Sequence, residues 1–143
     1  MGTRVLCTLI LFTSVALADD DADRAKLAGT WQADEGSTLV VENTNDAVKI
    51  TQSKNGTKVS EIECNVTGKE CVITENGHKA KVSMWFNGPK LIELETRGSE
   101  VVKRTFSAAG KEDAMEVEFI PVVPGGTTET SHFRRTPVSS AQR

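Results

Sequence analysis

Lys79-Ala80-Lys81-Val82-Ser83-Met84-Trp85-Phe86, followed by the break Asn87-Gly88-Pro89, decides the fold of this chain. Ala80, Val82, Met84 and Phe86 occupy every second position, with Lys79, Lys81, Ser83 and Trp85 between them. A period of two belongs to a β-strand with one face on a core; a helix would space its apolar residues three and four apart. Asn87-Gly88-Pro89 then stops the strand and reverses the chain.

The same pattern extends in both directions. Upstream, Leu39 and Val41 share a face against Thr38 and Glu42, and Val48 and Ile50 oppose Lys49 and Thr51. Val59 to Cys64 and Glu70 to Thr74 follow. Lys54-Asn55-Gly56-Thr57 and Glu75-Asn76-Gly77-His78 read as hairpin turns, because Asn-Gly tolerates the positive φ of a tight reversal. Downstream, Lys90 to Arg97 and Glu100 to Ala108 meet through Gly98-Ser99. After Ala109-Gly110-Lys111-Glu112, Met115, Val117 and Phe119 alternate with Glu116, Glu118 and Ile120. Pro121 to Gly126 is expected as the longest loop and Thr127 to Thr136 as the closing strand. Connections this short pair each strand antiparallel with its predecessor. The expected fold class is all-β: an up-and-down antiparallel meander of about eight to ten strands that buries its apolar face by closing into a barrel. An immunoglobulin-like sandwich needs crossing connections that these turns do not supply.

The N-terminus carries a different message. Arg4, the apolar run Val5 to Val15 and Ala16-Leu17-Ala18 have the layout of a secretory signal over residues 1–18, cut after Ala18. The chain is therefore expected to be exported, to a periplasm or to the exterior, with Cys7 discarded. Asp19 to Lys26 runs from acidic to basic, which suits a short helical turn closing one end of a barrel domain over 19–136. Residues 137–143 read as a flexible tail. The net charge of −3 becomes −4 once Arg4 is lost, which argues against nucleic acid or an anionic membrane as partner. No later segment is apolar for long enough to span a membrane. Cys64 and Cys71 remain, and outside the cytoplasm a structural disulfide between them is expected, across a hairpin; two buried thiols are the alternative.

At the ends of the meander, Leu27-Ala28-Gly29-Thr30-Trp31 and Phe133-Arg134-Arg135 resemble the Gly-x-Trp group of lipocalins, and more closely the shortened lipocalin-like domains of exported bacterial proteins. The resemblance implies a barrel with Trp31 at its closed end beneath an Arg of the last strand. Arg135 shares the face of Phe133 and is the expected partner; Arg134 points away. The chain has no Tyr, so the second lipocalin motif is missing, and nothing helical follows Arg135.

A barrel shut at one end leaves the other for a ligand. Parity nominates Val82, Met84, Leu94, Val102, Phe106, Met115, Val117 and Phe119 as its lining, with Arg104 between Val102 and Phe106. A guanidinium on an inner face must be paired. An internal Glu, the barrel rim or a register shift can satisfy it; otherwise it is the anchor for an anionic amphipathic ligand. Glu93 and Glu95 are expected on a solvated strand face, and Trp85 on the outside, covering a neighbouring strand or meeting a protein partner. His78 and His132 stand apart, and no metal-binding, nucleophile-elbow or phosphate-loop motif occurs. Asn55-Gly56-Thr57 and Asn65-Val66-Thr67 are glycosylation sequons, meaningful only in a eukaryotic secretory pathway. The expectation is a non-enzymatic barrel, with neither cofactor nor metal, that binds a small apolar or amphipathic molecule. The alternative is an envelope interaction or inhibitor module with a filled barrel.

Overall fold

The computed structural model describes residues 16–108 and 113–137. Among them one helix, α1 (Ala16–Ala25), precedes ten strands. These are β1 (Gly29–Gln32), β2 (Ser37–Thr44), β3 (Ala47–Lys54), β4 (Thr57–Asn65) and β5 (Thr67–Glu75), then β6 (His78–Asn87), β7 (Lys90–Arg97), β8 (Glu100–Ser107), β9 (Ala114–Val123) and β10 (Glu129–Arg135). All ladders are antiparallel and the sheet order is β4-β3-β2-β1-β10-β9-β8-β7-β6-β5. Sequential hairpins make the whole sheet except for the β1–β10 pairing, which sets Trp31 opposite Arg135.

Local chemistry explains the reversals. Asn55-Gly56 has φ of 50° and 81°, and Asn76-Gly77 has 49° and 77°. Two positive φ values in succession define the primed turn whose twist matches that of the flanking strands.

The two terminal strands of the sheet, β4 and β5, are neighbours in sequence, yet no ladder joins them among the described residues. One covalent link crosses this seam near its base, the Cys64–Cys71 disulfide, which holds the two Cα atoms 5.9 Å apart. Beside it the Val66 N–H donates to the Asp46 carbonyl, at 3.0 Å, and continues the β3–β4 ladder past Ala47 and Asn65. The disulfide forms as expected, but it spans an unpaired seam rather than a hydrogen-bonded hairpin. Cys64 pairs in register with Val48, and Cys71 with Val82.

One end of the barrel is sealed. Trp31 is wholly buried, and its Nε1–H donates to the Leu27 carbonyl at 2.9 Å. The Arg135 guanidinium lies 4.2 Å from the Trp31 ring centre and donates to the Ala28 and Lys26 carbonyls, at 2.8 and 2.6 Å. Indole and guanidinium attract through the ring quadrupole while the donors satisfy orphan carbonyls beside the start of β1. Gly29 has φ +138°, and a Cβ there would lie 2.5 Å from Arg135 Nη1, so the plug requires a residue without a side chain. Helix α1 covers the same end: Arg24 Nε donates to the Gly88 carbonyl at 2.8 Å, and its guanidinium sits 4.9 Å from the Phe86 ring. Arg134 is exposed.

Two expectations need correction. Strand β9 runs on to Val123, so Pro121 to Val123 belong to a strand rather than to the loop expected over Pro121 to Gly126. A register shift between Val101 and Val102 brings Pro121 opposite Val102 and Val123 opposite Val101, which accommodates a residue with no N–H to give. Strand β7 also presents the opposite face from the one expected: Leu91 and Glu93 are buried at 1% exposure, so Ile92 and Leu94 point outward. Ile92 lies opposite Trp85 on the outer wall, where each covers the other.

Residues 1–15 of the segment read as an export signal lie outside the described residues; Ala16, Leu17 and Ala18 open α1. The expected turn at Ala109 to Glu112 and the tail residues 138–143 also lie outside them.

Candidate functional site

Strands alternate in direction, so the plug at the start of β1 and the end of β10 puts the β3–β4, β5–β6, β7–β8 and β9–β10 turns at the opposite end. A cavity of about 390 Å³ opens there, lined by Gln52, Val59, Ser60, Ile62, Glu75, Glu95, Arg97, Glu100, Val102, Arg104 and Phe119. It receives residues from both sides of the β4–β5 seam. A second space of about 260 Å³ adjoins it through the shared residues Gln52, Arg104 and Phe119, and is closed by Leu39, Phe106, Val117 and Phe133 with Glu129 and Ser131 beside them. The interior thus runs from a charged mouth toward an apolar floor.

The nominated lining residues fall into three groups. Arg104, Val102, Phe106, Val117 and Phe119 border one or both spaces. Val82, Met84 and Met115 are buried in the core at 1% exposure or less. Leu94 is a correction, since it faces outward opposite Ser83 and Lys103.

Arg104 does point inward, and an internal carboxylate holds it. Its Nη2 and Nε donate to Glu93 Oε1 at 2.5 and 3.2 Å, and its ring neighbour is Phe106, centred 5.8 Å away. Glu95 Oε2 lies 3.9 Å from the same Nη2. Nearer the mouth, Arg97 donates to Glu75 Oε2 at 2.5 Å and to Glu95. Five side chains therefore form a chain of alternating sign from Glu75 through Arg97, Glu95 and Arg104 to Glu93. Burial pushes the Glu93 carboxyl above its ordinary value; the Arg104 charge and hydrogen bond pull it back, and Glu95 and Glu75 push it up further. The hydrogen bonds that Arg97 donates to Glu95 and Glu75 hold it still more firmly protonated. Among the described residues, two buried side-chain oxygens lack a hydrogen-bond partner: Glu75 Oε1 and Glu93 Oε2.

Glu93 and Glu95 were expected on a solvated face, and the structure places them inside. The signal that locates them is the Gly98-Ser99 turn. A two-residue turn between Arg97 and Glu100 puts Glu93 directly opposite Arg104 and Glu95 opposite Val102. Whatever faces inward on β8 therefore carries Glu93 and Glu95 inward with it. Glu75 and Arg97 have no comparable local signal, because what joins them is the curvature that brings β5 toward β7.

His78 and His132 are exposed, the latter 3.7 Å from Glu116, and no cluster of three metal-ligating side chains exists among the described residues. Among those residues no helix is long and apolar enough to cross a membrane.

No protein-family model matches the chain, and comparison with curated proteins finds no match. Solved structures do. Secretory abundant heat soluble protein 4 from Ramazzottius varieornatus superimposes with a TM-score of 0.65 at 18% identity, over 78% of this chain and 96% of that one. Fatty-acid-binding protein 1 from Echinococcus granulosus gives 0.65 at 8% identity, over 79% and 99%. Lipid binding protein 8 from Caenorhabditis elegans gives 0.63 at 9% identity, over 78% and 96%. Likeness at this level of identity speaks for architecture, and the architecture is clear: the chain has the lipocalin-like barrel fold.

Proposed function

We propose that this protein is an exported binding barrel that carries a small amphipathic molecule, with the apolar part inside the barrel and the polar end at its mouth. The observation that carries the reading is the interior itself. A plugged floor, an inner space bordered by Leu39, Phe106, Val117 and Phe133, and a mouth with charged walls form a pocket of the size that encloses small ligands. A barrel of this strand number can be packed solid, and this one is not. Similar folds in proteins described as fatty-acid-binding and lipid-binding support the same use. The Cys64–Cys71 disulfide fits an oxidising compartment, which supports export. Binding rather than catalysis is proposed, because Glu75, Arg97, Glu95 and Arg104 are held in ion pairs with one another.

Native mass spectrometry of gently purified protein, before and after organic extraction, tests the proposal. The expected result is a small mass adduct lost on extraction, and uptake of the neutral fluorophore Nile red by the extracted protein. A dry barrel that takes up no apolar probe would overturn the reading and favour an interaction module acting through its outer wall.

A further inference from the structure

We infer that the mouth of the barrel is built for a cationic head group, so that the ligand is a long-chain amine or a similar amphiphile rather than a fatty acid. This rests on the binding reading above and sharpens it. Three observations carry it.

The first is the charge count. The two interior spaces are lined by four carboxylates, Glu75, Glu95, Glu100 and Glu129, against two guanidiniums, Arg97 and Arg104. No Lys lines either space. A carboxylate ligand would enter a site that already holds an excess of its own sign.

The second is that each guanidinium is engaged. Arg104 is bonded to Glu93 at 2.5 and 3.2 Å, and Arg97 to Glu75 at 2.5 Å and to Glu95. A fatty acid would reach only the Nη1 donors that the internal carboxylates leave over, and would lie beside those carboxylates, against like charge. Protonation of Glu93, which its burial favours, does not release Arg104, because Glu95 still lies 3.9 Å away.

The third is that the buried side-chain atoms left without a hydrogen-bond partner among the described residues are both carboxyl oxygens. Glu75 Oε1 and Glu93 Oε2 are buried without a partner among the described residues. Glu75 lines the cavity, and Glu93, at 1% exposure, lies behind Arg104 on the same inward-facing rung. An ionised carboxylate accepts hydrogen bonds and cannot donate them, so the complement at Glu75 is a donor. An ammonium supplies three donors and a positive charge; a hydroxyl supplies one donor and no charge. The ammonium therefore satisfies both the geometry and the charge count.

The test compares three ligands of equal chain length, dodecylammonium, dodecanol and dodecanoate, each titrated below its micellar range against Nile red in the extracted protein at pH 7. Ammonium and carboxylate both lose hydration on entry, so the comparison isolates the sign of the charge. Dodecylammonium is expected to bind about tenfold or more tightly than dodecanoate, with dodecanol between them. Glu75→Gln, which keeps the shape and removes the charge, is expected to erode the preference for the amine over dodecanoate about fivefold or more. Dodecanoate binding as tightly as the amine would overturn the inference and leave the binding reading standing, as would a Glu75→Gln variant with an unchanged preference. If neither Nile red nor any of the three binds, both fall together.

Discussion

Replacing Arg104 with Met should make the stability of the barrel fall more steeply as pH rises. Glu93 is 1% exposed, and Arg104 is the side chain that hydrogen-bonds to it. Its carboxyl is already raised by burial, with Arg104 holding it down. A carboxyl raised in the folded state contributes stability that is fully present below its unfolded value, near 4.5, and lost as pH climbs through its folded value. Without Arg104 the folded value rises further, so the loss continues to higher pH. Two routes are open to the abandoned group. Remaining ionised costs about 3–5 kcal/mol. Taking up a proton costs about 1.4 kcal/mol for each pH unit above the unfolded value, or about 3.4 kcal/mol at pH 7. The cheaper route caps the penalty, less whatever burial already costs the wild-type protein. Loss of the contact with Phe106 adds a pH-independent cost of about 0.5–1 kcal/mol. Urea unfolding of wild type, Arg104→Met, Glu93→Gln and the double variant at pH 5 and pH 7.5 measures these quantities. The destabilisation by Arg104→Met should grow by about 2 kcal/mol between the two pH values, and Glu93→Gln should recover most of it. Equal destabilisation at both pH values, or a double variant no more stable than Arg104→Met, would refute the reasoning.

Two further outcomes are expected from features outside the cavity. Gly29→Ala should lower stability by about 1–3 kcal/mol in thermal unfolding, because it adds a Cβ at φ +138° against Arg135 Nη1. Part of that cost should vanish in an Arg135→Ala background; an unchanged cost would show that the close approach does not matter. Replacing both Cys64 and Cys71 with Ser should cost about 2.5 kcal/mol, the loop-closure value for so short a loop, and should speed hydrogen exchange first at the base of β4 and β5. Uniformly faster exchange over the whole barrel would contradict a local tie.

Much of the architecture is legible in the residues because a meander is a local fold. Each Asn-Gly or Gly-Ser pair marks a reversal, and each alternating stretch declares its faces. The plug is legible for another reason: Trp31 and Arg135 are the outlying side chains at the two ends of the pattern, and closure brings those ends together. The site was harder to read. Leu91-Ile92-Glu93-Leu94-Glu95 offers an apolar residue to either face, so periodicity within β7 cannot choose between them. The choice comes from across the hairpin, where the inward set Val102, Arg104 and Phe106 obliges Leu91, Glu93 and Glu95 to point the same way. A strand that turns two carboxylates inward breaks the apolar-inside pattern at the very place where the interior is charged. The seam had no sequence marker at all. Val59 to Cys64 and Glu70 to Thr74 look like an ordinary hairpin, and only the three-dimensional sheet shows that its two strands are not paired.

That seam bears on whether the protein stays in solution. Strands β4 and β5 are the two free edges of the sheet, and each carries a row of backbone groups with no partner strand. Such rows are templates for another chain. Here they are held facing each other by one covalent bond at their base, which limits how far they can separate and how much of either edge a neighbouring molecule can reach. Reduction frees both edges together, so the bond that ties the base of the seam also guards against strand-to-strand association between molecules.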